Sequence, residues 1–206
     1  MKILLIGPQG CGKGTQGDML GNYLDIPVLA SGQILRNVPE ISPYYALIND
    51  YMDKGLLVPQ DLVASLLREE IAKPVYAKGF ILDGWGRAKA DLVNFDPGFD
   101  SVININISDA TSIERLSSRL TCSECGSVYN TTYMLPKVSG ICDDCGGRLV
   151  QRDDDTEAAI KKRLEIYHTQ TQEVLDYFRQ KGNLIAIDGE GTPEEVFTKI
   201  KTALKI

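Results

Sequence analysis

The stretch "GPQGCGKGT", Gly7 to Thr15, sets four glycines and one lysine directly after a short apolar run. Glycines allow successive backbone N–H groups to converge on phosphate oxygens. The start of a following helix adds its positive end, and Lys13 supplies a mobile cation. The strict phosphate-loop pattern has Ser or Thr immediately after the lysine, whereas here Gly14 intervenes before Thr15. Cys11 reads as a small side chain turned away from the phosphate. A carboxylate, Asp83, closes the apolar run "FILDG". There it either holds magnesium through water or ends a strand in a plain Asp-Gly turn.

A second chemistry lies in the cysteines. Four of the five form two matched pairs, Cys122-x2-Cys125 and Cys142-x2-Cys145, separated by 16 residues. In a reducing compartment this spacing points to a four-thiolate zinc site, the alternatives being two disulfides or four unliganded thiols. With all four positions filled by protein, no coordination site is left for a catalytic water, so the expected zinc is structural. The segment "GICDDCGGRLVQRDDD" runs on from Cys142 and Cys145 into Arg152 and then Asp153, Asp154 and Asp155. Acids just before a helical stretch also favour the helix dipole, with Asp155 or Thr156 as the cap.

The elements that must position these groups are legible from periodicity. Lys2–Ile6, "GFILDG", "SVININIS" and "NLIAIDG" are short apolar runs suited to buried parallel strands. Helical spacing follows the glycine-rich loop to about Leu24 and occupies residues 60–73. It also covers "ATSIERLSSRL", which places Arg115 and Arg119 on one helix. Ile160, Leu164, Tyr167, Thr171, Leu175 and Phe178 continue it for about five turns, and a last helix starts near Thr192. Two short helical patterns flank "NVPEISPY" within 30–59. Alternation of strand and helix predicts a parallel α/β sheet, interrupted at 30–59 and at 118–155. His168, the only histidine, falls on a helix surface.

The 206 residues suffice for one domain with small insertions, and 22 basic against 28 acidic residues give a net charge of −6. A general affinity for nucleic acid or anionic membranes is therefore unexpected, and phosphate binding must be local. Segment 118–155 has four basic and six acidic residues, a charge of −2, which argues against a nucleic-acid-binding ribbon. The run after Lys2 is too short for a signal peptide or membrane span, so a soluble, cytoplasmic protein is expected.

Taken together, "GPQGCGKGTQ", "SGQILR", "KGLLVP", "GFILDGWGR" and "QRDDD…KKRLEIYH" resemble adenylate kinases, in order and over almost the whole chain. The form resembled is the long one with a zinc-carrying lid. The resemblance implies a P-loop, five-stranded parallel core made of residues 1–29, 60–117 and 156–206. It implies a monophosphate-binding insertion at 30–59 and a lid at 118–155. The implied reaction is magnesium-dependent transfer of the terminal phosphoryl group of ATP to AMP, giving two ADP, by a monomer. Gly10, Cys11, Gly12, Lys13, Gly14 and Thr15 would wrap the ATP phosphates, with magnesium held through water by Asp83. Arg115 would lie against the ATP adenine, Arg119 on its phosphates, and Val128, Tyr129 and Gly191 at its border. Ser31, Arg36, Leu56, Leu57, Val58, Gly84 and Arg87 would form the AMP site. Arg152 and Arg163 would close over the transferring group, oriented by Asp154 and Asp155. Planar guanidinium groups suit this work, because phosphoryl transfer between anions leaves much charge to offset.

Three departures gather on the acceptor side. Gly86 replaces the proline of the family's Gly-Phe-Pro-Arg, which suggests a looser backbone before Arg87. No glutamine follows to read the acceptor base; Lys89 and Asp91 lie nearby instead, and Gln33 replaces an aspartate. A kinase of another nucleoside monophosphate, or one using GTP, is the nearest rival. A P-loop protein with a zinc-ribbon interaction module is a more distant one.

Overall fold

The computed structural model describes every residue except Gly55, Tyr133, Asp153 and Asp154, and describes Asp53 by its backbone alone. In chain order the elements are β1 (Lys2–Ile6), α1 (Lys13–Leu24), β2 (Val28–Ala30), α2 (Ser31–Arg36) and α3 (Tyr45–Asp53). Next come α4 (Gln60–Ile71), β3 (Phe80–Asp83), α5 (Lys89–Asn94), β4 (Ser101–Asn106) and α6 (Asp109–Ser117). The cysteine segment contains β5 (Arg119–Cys122), β6 (Val128–Asn130) and β7 (Leu149–Val150). The chain ends with α7 (Glu157–Lys181), β8 (Leu184–Asp188) and α8 (Pro193–Leu204).

Five strands form a parallel sheet in the order β2-β3-β1-β4-β8. Alternate side chains of each strand face opposite sides, so both faces must be covered. Leu4, Ile6, Leu82 and Val102 pack with Leu67, Val174 and Phe178 on one face. Ile3, Leu5, Ile81, Ile103 and Ile105 pack with Leu20, Val196 and Ile200 on the other. The expected α/β architecture is therefore present. Register brings the ends of three strands together, since Leu5 pairs with Asp83 and Ala30 with Asp83. Loops leaving these C-terminal ends carry Gly7, Ser31 and Gly84.

Helix ends follow local chemistry. Thr156 caps α7, its Oγ1 accepting from Ala159 N at 3.3 Å. Thr192 and Glu195 form a reciprocal capping box at α8. One expectation is corrected: the helix through "ATSIERLSSRL" stops at Ser117, and Arg119 lies on β5 instead. Ser118 Oγ donates to the Glu114 carbonyl at 2.7 Å, which satisfies an end-of-helix acceptor and lets the chain turn into a strand. β2 and α5, with three and six residues, have no counterpart in the periodicity.

β5, β6 and β7 make a separate antiparallel sheet in the order β6-β5-β7. Its small core consists of Cys122, Tyr129, Cys142 and Leu149. No helix among the described residues is long and apolar enough to cross a membrane.

Candidate active site and cysteine centre

The glycine-rich loop leaves β1 under tight constraint. A Cβ on Gly7 would stand 2.4 Å from the Ile105 carbonyl oxygen, so no larger residue fits against β4 there. α1 then starts without a side-chain cap, which leaves its first-turn N–H groups for an anion. Lys13 Nζ donates to the carbonyls of Gly7 at 2.8 Å and Pro8 at 2.9 Å, folding over the loop. Cys11 points away from the loop surface into the core, 2% exposed, as its small size suggested. Burial pushes its thiol pKa up, against a weaker downward pull from Lys13, so it is not an activated nucleophile.

Asp83 ends β3 beside this helix start; a Cβ on Gly14 would lie 3.9 Å from its Oδ2. Burial holds its carboxyl above the ordinary aspartate value, and Lys13 and Arg87 pull it back less strongly. Ser31, at the start of α2, donates through Oγ to the Gly84 carbonyl at 2.9 Å, joining the two loops that leave β2 and β3. Arg36 closes α2 with its guanidinium over Gly32. Val58 is buried in the core at 4% exposure, whereas Leu56 is 44% exposed.

Arg87 is fixed through its backbone. Its N–H donates to Asp91 Oδ2 at 2.8 Å, the Ala88 N–H to the same oxygen at 3.0 Å, and Thr171 Oγ1 donates to its carbonyl at 3.0 Å. The expected looseness before Arg87 is thus not found. Gly86 sits at φ +69°, a conformation closed to proline, and the carboxylate of Asp91 clamps the next turn. Asp91 is therefore a buried anchor for the start of α5 and not an exposed base reader. An acid three residues past Ala88 is the sequence signal for it. The Arg87 pKa is lowered by burial first and then by the neighbouring charge of Arg163, which Asp83 and Asp91 oppose.

Beyond Arg163 lies Asp155, whose side chain is wholly buried. Arg119 binds it with two parallel bonds, Nε to Oδ2 at 2.8 Å and Nη2 to Oδ1 at 2.6 Å. Arg163 Nη1 approaches the same Oδ1 at 3.6 Å. The Asp155 N–H donates to the Arg152 carbonyl at 3.0 Å, which fixes the backbone of both residues. Asp154, its expected companion, lies outside the described residues. Lys13, Asp83, Arg87, Arg163, Asp155 and Arg119 therefore form one series of electrostatic neighbours, drawn from six separate points of the chain.

Arg115 stands apart. Its Nη2 donates to the carbonyls of Gly189 at 3.2 Å and Gly191 at 3.3 Å, so Arg115 and Gly191 are brought together. Val128 and Tyr129 face opposite ways on β6, the first 45% and the second 7% exposed. The Tyr129 ring packs against the cysteines. His168 lies on the α7 surface, paired with Asp109 at 2.9 Å.

The four cysteine sulfurs lie within 4.8 Å of one another. Cys122–Cys145 and Cys125–Cys142 separations are 3.4 and 3.6 Å. A tetrahedron with zinc–sulfur bonds of about 2.3 Å has edges of about 3.8 Å, so the sulfurs are spaced for such an ion. Burial raises the Cys142 thiol, but hydrogen bonds from Tyr129 and the N–H groups of Cys145 and Asp144 bring its pKa down to about 6. A ligand-ready thiolate results.

Comparison with known proteins agrees with this geometry. The family model described as adenylate kinase matches residues 5–183. The chain is 42% identical to the adenylate kinase of Methanocella arvoryzae over 213 aligned positions, spanning 100% of this chain and 99% of the relative. It is 40% identical to that of Methanosarcina barkeri, over 100% of this chain and 99% of the relative. The adenylate kinase of Caldicellulosiruptor bescii is 39% identical, over 100% of this chain and 98% of the relative. A phosphate loop and converging guanidinium groups on a parallel sheet, a four-cysteine unit on a second, antiparallel sheet, and relatives that match from end to end place this chain in the adenylate kinase family.

Proposed function

We propose that the protein catalyses reversible transfer of the terminal phosphoryl group of ATP to AMP, giving two ADP. The observation that carries this reading is the cluster around Asp155, whose Oδ1 lies 2.6 Å from Arg119 Nη2 and 3.6 Å from Arg163 Nη1, with Arg87 the next electrostatic neighbour of Arg163. Guanidinium groups gathered in this way suit phosphate, which they bind bidentately while staying charged. Lys13 at one end of this series and Arg119 at the other are both assigned to the phosphates of ATP.

In this reading Gly10 to Thr15 cradle the donor phosphates through backbone N–H groups, and Lys13 leaves the loop carbonyls to follow the transferring group. Ser31, Arg36, Leu56 to Val58, Gly84 and Arg87 hold the acceptor. Arg119, Arg152 and Arg163 offset charge on the moving phosphoryl group. Asp155 keeps Arg119 and Arg163 in orientation, and Asp154 is assigned the same work. The attacking phosphate is already ionised, so no general base is needed. Arg115, with Val128, Gly191 and the backbone of Tyr129, is assigned to the adenosine end of ATP, the Tyr129 side chain being turned to the cysteines.

Asp83 fits magnesium, because a single buried carboxylate beside the helix start suits an ion held mostly by phosphate and water. Asp83 would hold magnesium through water, and the ion would supply neutralisation of phosphate charge during transfer. We assign the four cysteines to a structural zinc. We divide the chain into a core of 1–29, 60–117 and 156–206, an acceptor insertion of 30–59 and a lid of 118–155. The lid would exclude water, which otherwise competes as acceptor. A monomer in the cytoplasm, with nucleotides as its partners, completes the proposal.

The test is ADP formation from ATP with AMP, UMP, CMP or GMP, run beside Arg119→Ala. AMP should be preferred, and the variant should lose about 10²–10³ in kcat, as for other lost oxyanion donors. Absence of ADP from the parent sinks the assignment; faster reaction with another monophosphate overturns the acceptor.

A further inference from the structure

Tyr129 is buried beside the cysteines, and its ring is not the part that needs explaining. Its hydroxyl accepts a hydrogen bond from the Asp143 N–H at 2.8 Å. That donor belongs to the residue directly after Cys142, so the phenol oxygen is fixed against the second cysteine knuckle. The hydroxyl proton is left to point elsewhere, and Cys142 Sγ lies 3.6 Å away, within reach for a bond to sulfur. A metal-bound thiolate has no proton to give, so the direction is set: tyrosine donates and sulfur accepts.

The neighbouring sulfurs are served differently. Cys145 Sγ receives the Gly147 N–H at 3.4 Å, a backbone donor. Ser127 Oγ lies 3.1 Å from Cys125 Sγ, but it also donates to Asp144 Oδ2 at 2.7 Å, so its single proton is contested and exposed. Among the described residues, Tyr129 is thus the one buried side-chain donor to the four clustered sulfurs. Its place is held by β-sheet register, Leu120 on β5 pairing with Tyr129 on β6.

We infer that Tyr129 is a tuning residue of the metal centre, its hydroxyl donating to the Cys142 thiolate and thereby strengthening metal retention and quieting that sulfur as a nucleophile. Four thiolates around one divalent ion carry two excess negative charges. A donor aimed at one sulfur draws density from it, and in a small dry core this counts for more than in water. The same bond ties β6 to the second knuckle, so the metal and the three-stranded sheet support each other. This inference rests on the zinc reading of the four cysteines and goes beyond it.

Tyr129→Phe keeps the ring and removes only the hydroxyl. On the full-length protein, zinc affinity is measured by competition with a chromogenic chelator. Cobalt(II)-loaded samples report the sulfur-to-metal charge-transfer band, and iodoacetamide labelling mapped by mass spectrometry reports Cys142 reactivity. The expected result is zinc affinity weaker by about tenfold, the low end for lost outer hydrogen bonds. The cobalt band should move to lower energy and Cys142 should be alkylated faster, with Cys145 unchanged. Weaker affinity with an unmoved band would mean a packing role and overturn the inference, as would parent-like values throughout. A parent protein that binds no metal at all would overturn the zinc reading and this inference with it.

Discussion

Gly86 shows how a single residue can invert a sequence argument. Replacing the family's proline with glycine suggests lost rigidity, yet the backbone here stands at φ +69°. Proline is locked near −65°, so this chain has built a different turn and not a weakened version of the same one. The rigidity has moved to the neighbours. Trp85, 2% exposed, donates its indole N–H to the Phe95 carbonyl at 2.9 Å, and Arg87 is bonded at both its N–H and its carbonyl. A Cβ on Gly86 would meet Leu92 at 3.5 Å and Leu4 at 3.6 Å, which is ordinary contact, so only the dihedral resists substitution. Gly86→Ala should then lower the unfolding free energy by about 1–2 kcal/mol, the usual penalty for an L-residue in the left-handed region. Gly86→Pro should lower it by about 3 kcal/mol or more, because it also forces the turn to rebuild. Urea unfolding of the three proteins decides this, and a proline variant as stable as the parent would show that the turn is not what holds Arg87.

At the scale of elements, α5 matters because it starts from a buried carboxylate. Asp91 is 2% exposed and accepts two backbone N–H bonds. Asp91→Ala would strand both donors, at a cost of about 1–3 kcal/mol each if they stay dry. The wedge it leaves lies under Arg87, so the KM for AMP should rise while the KM for ATP stays near its parent value. Asp91→Asn keeps an acceptor oxygen and should recover much of both; equal rises in both KM values would instead indicate general loosening. Elements such as this one leave the weakest signal in the sequence. Strands β1, β3, β4 and β8 declared themselves as apolar runs closed by polar or glycine residues, and α7 by five turns of spacing. β2 has three residues, fewer than two periods of alternation, and α5 has six, under two helical turns. Their existence depends on tertiary partners that a local window does not contain. Arg119 falls outside the helix its spacing predicts for a related reason: "ERLSSRL" keeps helical spacing, and only the Ser118 side chain bonding back to Glu114 shows that the helix has already ended.

For the molecule as a whole, the sheet gathers at one end what the sequence scatters. The phosphate loop and the cysteine spacing were legible because each is a local pattern with one chemical purpose. The Arg87–Arg163 approach and the Arg119–Asp155 fork were not, since residues 76 and 36 positions apart meet only after the fold closes. The resemblance to a known family named the arginines; the fold shows how their charges are set against one another. Asp83 gives this arrangement a measurable signature. Burial raises its folded-state pKa above the ordinary 3.8, and the pull of Lys13 and Arg87 does not reverse the shift. Between those two values the native protein binds more protons than the unfolded chain. Stability of the nucleotide-free protein must therefore fall as pH rises through that window, and the loss is complete above the folded value. Asp83→Asn removes the ionisation: its unfolding free energy should change less with pH than the parent's and exceed it at neutral pH. The same variant should lose about 10–100-fold in ADP formation, the range seen when an outer partner of a bound metal is removed. Denaturant unfolding of both proteins from pH 4 to 8 gives the comparison. Parallel stability profiles would show that Asp83 is not the carboxylate whose charge the apoprotein resists, whereas greater stability joined to weaker catalysis would show a group held charged for the nucleotide's metal at the expense of the fold.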